Sequence, residues 1–291
     1  MSNLNFPDNI FGINAKEAYD RIINAPDKKP EDKPNPDKQK SEGGIGTAGS
    51  DLENYILLPQ TTEHPDLLIA KTRLAYDYEV EKAGKKLGLT LQNNKQGYIG
   101  DINWEQALKL NNELGSFTLN PKLFAEFLKL LKYGRALDGT KKQVNSRELE
   151  TILNEIIEVK TPYRSEWLDN KYVKQGGVLG IGSKLAVTYN KFVNGKLIEA
   201  TAVLDSDTLM ETKTPGIDLD SWIENPNSQG LPRSSVKDGS LYFWHPSDGR
   251  VAWFDAGTIR VGLSCYRGPL ESNAVLGVRQ AKVFGGIGSK S

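Results

Sequence analysis

The chain has 291 residues, and its 37 basic and 37 acidic side chains cancel, leaving no global field to steer it toward nucleic acid or an anionic membrane. A single cysteine, Cys265, excludes an intrachain disulfide and a multi-cysteine zinc site, and no stretch reaches the ~20 apolar residues that a membrane span requires. The start MSNLNFPDNIF lacks the regions of a signal peptide, and a hydrophobic fraction of 38% is low enough for part of the chain never to fold, so a soluble, cytoplasmic protein with a tail or linker is expected.

Residues 1–50 read as a flexible arm and linker. After a short amphipathic lead at Ala15 to Ile23, residues 25–50 are Pro, Lys, Asp and Gly with almost nothing to bury against the entropy of ordering. From Asp51 the pattern turns helical, with Leu67, Leu68, Leu74, Ala75 and Tyr78 near helical spacing until Gly84 and Gly88 break the run; His64 is placed just before a helix. Three helix starts follow. Asn103 precedes WEQALKLNNEL with Gln106 in capping-box position, Asn120 and Pro121 open PKLFAEFLKLLKYG, and Asn145 with Glu148 opens SRELETILNEII. Their apolar stripes predict a small helical domain over residues 51–160, with GRALDGTKKQ as a turn.

After Thr161 and Pro162 the texture changes to strands. YRSEWLDNKYV, then KLAVTYNKFV and KLIEATAVL joined by the hairpin signal Asn194-Gly195, predict mostly antiparallel pairing, so the expected class is α+β with a second domain over residues 161–284. IDLDSWIENP can form one helix capped by Asp218 or Asp220, and residues 285–291 read as a flexible tail.

The stretch from Asp238 to Val283 holds two segments of strict alternation. Ala252, Phe254 and Ala256 share one parity, opposite Trp253, Asp255 and Gly257; Val261, Leu263 and Cys265 alternate with Gly262, Ser264 and Tyr266. The first set is small or apolar and is assigned to the core. The second mixes an indole, a carboxylate, a hydroxyl, a phenol and glycines, which resembles a binding surface of rigid aromatics and adaptable polar groups more than a Lys- and Glu-rich solvated face. Arg267, Gly268, Leu270, Glu271, Asn273 and Val275 continue that character into the following loop.

Other constellations offer less. His64 and His245 are the only histidines, and His245 would need Ser264 or Cys265 as a partner without any nucleophile motif to support it. Asp205, Asp207, Asp218 and Asp220 lack calcium-loop spacing and suit turns and caps, so no metal or other cofactor is expected. The glycine-rich pieces beginning at Gly43, Gly180 and Gly285 lack phosphate-loop spacing.

The FW before PSDGR, the GRVAWFDA strand, the L-x-C strand, the P-x-x-S-x-A spacing and the closing LGVRQAKV together resemble the variable proteins of diversity-generating retroelements. SEWLDNKY and SQGLPRSSVKDG are similar to archaeal-type members, and the likeness extends to GYIGDINWEQALKLN and LLKYGRALDG. The resemblance implies a C-type lectin-like fold over residues 161–284, related to that of formylglycine-generating enzymes, with LGVRQAKV as its terminal strand. It also implies that codons of the Asn type are randomised at template adenines while the scaffold stays fixed. The variable set would be Asp255, Gly257, Thr258, Gly262, Ser264, Tyr266, Arg267, Gly268, Leu270, Asn273 and Val275, all reachable from an Asn codon by adenine changes; Trp253 and Glu271 are not. The expected function is non-enzymatic binding of a protein or other macromolecule, anchored by Trp253 and Tyr266. The related enzymes rely on several cysteines, which a lone Cys265 does not supply. Two other readings stay open: an enzyme of that type or a hydrolase using His245, and a structural assembly module.

Overall fold

A computed structural model describes residues 9–10, 13–14, 51–176 and 183–285. The expected linker, the tail beyond Gly285 and most of the glycine-rich pieces lie outside the described residues. Met1–Gly46 form a unit of their own, in which strands β1 (Asn9–Ile10) and β2 (Ile13–Asn14) pair antiparallel. The second unit is Thr47–Ser291.

Its fold is α+β. The helices are α1 (Tyr78–Lys86), α2 (Trp104–Glu113), α3 (Pro121–Tyr133), α4 (Ser146–Ile157) and α5 (Leu219–Glu224). Each begins where a short polar side chain accepts a hydrogen bond from a backbone N–H of the first turn: Asp77 from Val80, Asn103 from Gln106, Asn120 from Leu123, Asn145 from Glu148 and Asp218 from Ser221. Asn103 and Gln106 complete a reciprocal capping box, and α3 ends at Gly134 in the left-handed conformation. Gly84, expected to break a helix, lies inside α1. A Cβ there would meet Leu91 Cδ1 at 2.6 Å, so the glycine lets Leu91 close over the helix.

The remaining strands are β3 (Tyr55–Leu58), β4 (Leu67–Ala70), β5 (Gln92–Asn93), β6 (Ile99–Gly100), β7 (Leu137–Asp138), β8 (Arg164–Gln175), β9 (Lys184–Val193), β10 (Lys196–Val203), β11 (Lys213–Ile217), β12 (Leu241–Trp244), β13 (Val251–Ala256), β14 (Val261–Arg267), β15 (Leu276–Gly277) and β16 (Ala281–Val283). The main sheet runs β10-β9-β8-β13-β14-β12-β11, with β15 added beside β8; a second sheet runs β16-β4-β3-β7. Pairing is antiparallel except for β12 with β14 and β15 with β8. The β9–β10 hairpin turns on Asn194 and Gly195, both at positive φ, as the Asn-Gly signal requires.

Three expectations are corrected. The run read as helical after Asp51 contains strands: Leu67–Ala70 is buried between β3 and β16, and a short apolar run of this kind carries no period to tell strand from helix. His64 accordingly precedes a strand. LGVRQAKV is not one terminal strand but two, with Leu276–Gly277 in the main sheet and Ala281–Val283 in the second.

The apolar core runs across the boundary expected at residue 160. One apolar core holds Ile56 and Ile69 of the second sheet, Phe124, Phe127, Leu149 and Ile152 of α3 and α4, and Phe243, Phe254 and Leu263 of the main sheet. The junction itself is fastened. Arg164, 3% exposed, donates to the carbonyls of Glu155, Glu158, Lys160 and Pro162, tying the first residue of β8 to the carboxyl end of α4.

Candidate binding face

Strands β12, β14, β13 and the first half of β8 lie side by side, and their register sets the site. Leu241, Phe243, Val261, Leu263, Phe254 and Ala256 point into the main core, where Phe254 meets Phe124 at 5.0 Å and Trp222 at 6.3 Å between ring centroids. Cys265 joins them, fully buried; loss of solvent pushes its thiol up to about 12, so it stays protonated and packs as a small apolar group.

The other parity forms two cross-strand rows. One reads Trp244, Ser264, Trp253, Trp167; the other reads Tyr242, Gly262, Asp255, Ser165. Period two therefore assigned sides correctly, but the side expected to face solvent is largely covered. Trp253 is 2% exposed, Asp255 1% and Ser264 6%, and Gly257 and Gly262 are buried as well. A second layer covers this side. At the β8 end, Trp253 and Trp167 join an apolar cluster with Ile99, Ile102, Trp104, Leu276 and Val278. Two indoles lock that cluster down, Trp104 Nε1 donating to the Leu168 carbonyl at 2.8 Å and Trp167 Nε1 to that of Ile102 at 3.0 Å.

Toward β14 and β12 the cover consists of guanidiniums and rings. Arg267 stacks on Trp253 with Cζ 3.8 Å from the ring centroid, Arg260 on Trp244 at 4.7 Å and Arg250 on Tyr266 at 4.7 Å. The glycines make this layer possible. A Cβ on Gly262 would lie 2.9 Å from Trp244 Cζ3, and one on Gly257 would run into the Tyr163 ring. Asp255 Oδ2 accepts from the Tyr163 hydroxyl at 2.6 Å and lies 3.9 Å from Arg260 Nε, while Asp255 Oδ1 and the Trp253 indole N–H are buried without a partner among the described residues. Burial raises the Asp255 carboxyl above its ordinary range, against the pull of the Tyr163 hydroxyl, Arg260 and Arg267.

The expected residues that do reach solvent form a rim around this layer. Thr258 is exposed beside Ile259 in the β13–β14 turn, Tyr266 is 50% exposed at the end of β14, and Leu270 is 75% exposed in the loop beyond. Asn273 is exposed; Arg267, Gly268 and Val275 are half-buried. The loop backbone is held from beneath: Asp101 N–H donates to the Asn273 carbonyl, Trp104 N–H to that of Pro269, and Arg73 to that of Val275. Glu271 clips it from above, accepting from Gly268 N–H at 2.8 Å and from Arg267 at 2.7 Å. Burial alone would raise the Glu271 carboxyl, but these two donors outweigh it and hold it below the ordinary range.

Sequence reasoning missed Tyr242, Trp244, Arg250, Arg260 and Tyr163. Tyr242 and Trp244 carried a signal, since they alternate with Leu241 and Phe243 in the same period of two; the parallel pairing that sets them beside Gly262 and Ser264 did not. His245 Nδ1 lies 3.0 Å from Thr212 Oγ1, and Ser264 and Cys265 point to opposite faces of β14. Among the described residues no group of three or more His, Cys, Asp or Glu could hold a metal ion, and no helix is long and apolar enough to cross a membrane. The four aspartates serve as caps and ion-pair partners: Asp205 accepts from Ser228 and Asp207 pairs with Arg233, Asp218 caps α5 and Asp220 pairs with Lys132. Compared with protein-family models, curated proteins and solved structures, the chain matches none.

Proposed function

We propose that this chain is a non-enzymatic binding protein of the retroelement-diversified kind, presenting a variable rim on a fixed, C-type lectin-like sheet. The observation that carries the reading is the division of labour in the loop after β14. Its carbonyls are held by Asp101, Trp104 and Arg73, whereas Leu270 is 75% exposed and Tyr266, 50% exposed, lies against Arg250, so side chains can change without losing the bonds that hold the backbone. Tyr266, with half-exposed Trp244 and Tyr242, offers rigid aromatic area; Arg260 and Arg267 add planar donors for a partner's carboxylates, and Thr258 and Asn273 add adjustable polar contacts. Asp255, Gly257, Gly262 and Ser264 are buried and support the rim from below, Gly257 and Gly262 by leaving room for Tyr163 and Trp244.

The reading is tested by sequencing the codons for residues 250–283 in related isolates beside any near-identical downstream copy. Differences confined to adenines of that copy, next to a reverse transcriptase gene and concentrated at the rim, support it. Substitutions scattered equally over Phe254, Leu263 and the rim would sink it.

A further inference from the structure

Behind the loop, on the core side of β8, lies a cleft of about 330 Å³ counting its open mouth, lined by Arg73, Tyr98, Glu155, Arg164, Glu166 and Arg279 with Phe254 at its floor. The space in it that a small solvent-sized species can occupy is about that of one water molecule. Three guanidiniums face it, and all are buried: Arg73 is 6% exposed, Arg164 3% and Arg279 4%. Charge of this kind is costly away from water unless paired. Arg279 is paired, donating to both oxygens of Glu166 at 2.9 and 3.0 Å. Arg164 is spent on four carbonyls at the negative end of α4.

Arg73 is left with neutral partners. Among the described residues two of its five N–H groups have partners, one the Val275 carbonyl at 3.1 Å and one Gln96 Oε1 at 2.8 Å, and its Cζ lies 4.8 Å from the Tyr98 ring centroid. The carboxylates in reach are engaged elsewhere, Glu166 by Arg279 and Glu155 by Lys160 at 3.0 Å. Burial, then the charge of Arg279, pushes the Arg73 guanidinium below its ordinary value despite Glu166, which is the mark of an undercompensated cation.

We propose that this cleft is a binding site for one small monovalent anion of chloride size, held between Arg73 and Arg279. The anion supplies the charge that the side chains around Arg73 do not, and the small free space favours one small ion over larger oxyanions such as phosphate. Because Arg73 also holds the Val275 carbonyl, which accepts from Ser165 N–H and Oγ as well, the bound anion stiffens the base of the loop carrying Leu270 and Asn273.

Thermal unfolding of the full chain in mixtures of sodium chloride and sodium gluconate at one ionic strength tests this. Chloride is expected to raise the Tm by roughly 2–4 °C with saturation. Arg73→Gln is expected to be insensitive to the exchange, and Arg73→Lys, which keeps the charge but not the fork, to need several-fold more chloride. If Arg73→Gln does not fold, the lysine variant decides, and an unchanged chloride midpoint overturns the proposal. Bromide in crystals gives an independent reading: an anomalous peak beside Arg73 and Arg279 supports the site, and peaks confined to the outer surface overturn it. Equal chloride responses of wild type and Arg73→Gln also overturn it.

Discussion

On one face of β13 and β14, Phe254, Val261, Leu263 and Cys265 sit among hydrocarbons; on the other, Trp253, Asp255 and Ser264 are almost as deeply buried, but beneath guanidiniums, phenols and indoles. The first face is insulated by packing that any change of volume disturbs. The second is covered toward β8 by the apolar cluster around Trp167 and toward β14 and β12 by long side chains with apolar stems and polar heads, which stand between the sheet and water. Burial alone thus does not separate scaffold from site. What separates them is whether the covering groups belong to the core or stand between it and water.

The largest expected effect tests whether the two faces share one burden of stability. Phe254→Ala, which empties a site between Phe124 and Trp222, is expected to cost ~3–5 kcal/mol in denaturant unfolding. Trp253→Ala should cost a similar ~3–5 kcal/mol, because its ring lies on Trp167 and under Arg267; a loss near zero would mean that the second face is open after all. Gly262→Val, which forces Trp244 off the strand, is placed next at about 1–3 kcal/mol, and the changed tryptophan environment should appear in its fluorescence.

Asp255→Asn probes the electrostatic half of the contrast. The folded pKa of Asp255 is raised above its unfolded value, so wild type is favoured at low pH and loses stability as pH rises out of the ordinary carboxylate range through the raised pKa. Asparagine keeps an acceptor for Tyr163 and has no charge to bury. Relative to wild type the variant should gain stability over that window, and identical pH profiles would mean that Asp255 is solvated. The smallest effects belong to the rim: Leu270→Ala should stay within about 0.5 kcal/mol of wild type, and a larger loss of Tm would show that the loop side chains support the fold.

Local chemistry in the sequence was a reliable guide where it was self-contained. Asn103, Asn120 and Asn145 each announced a helix by their own cap, and Asn194-Gly195 announced a hairpin, because the groups that satisfy one another lie within a few residues. The long-range features were not legible. Leu67–Ala70 became a strand through β3 and through β16 from the far part of the chain, and one apolar core runs across the boundary expected at residue 160. The site was half legible. Alternation sorted the residues of β13 and β14 into two faces, but it carried no information on Tyr163, Trp244 and Arg260, which close over one of them.

The pairing of Ala281 with Ile69 bears on how the protein is made. A ribosome delivers β3 and β4 long before β16, so the emerging chain carries an apolar strand, Leu67–Ala70, whose outer edge has no partner until nearly all of the main sheet has been synthesised. Nascent chains stalled short of Ala281 should therefore engage chaperones through that edge, and completion of the sheet waits on one of its shortest strands.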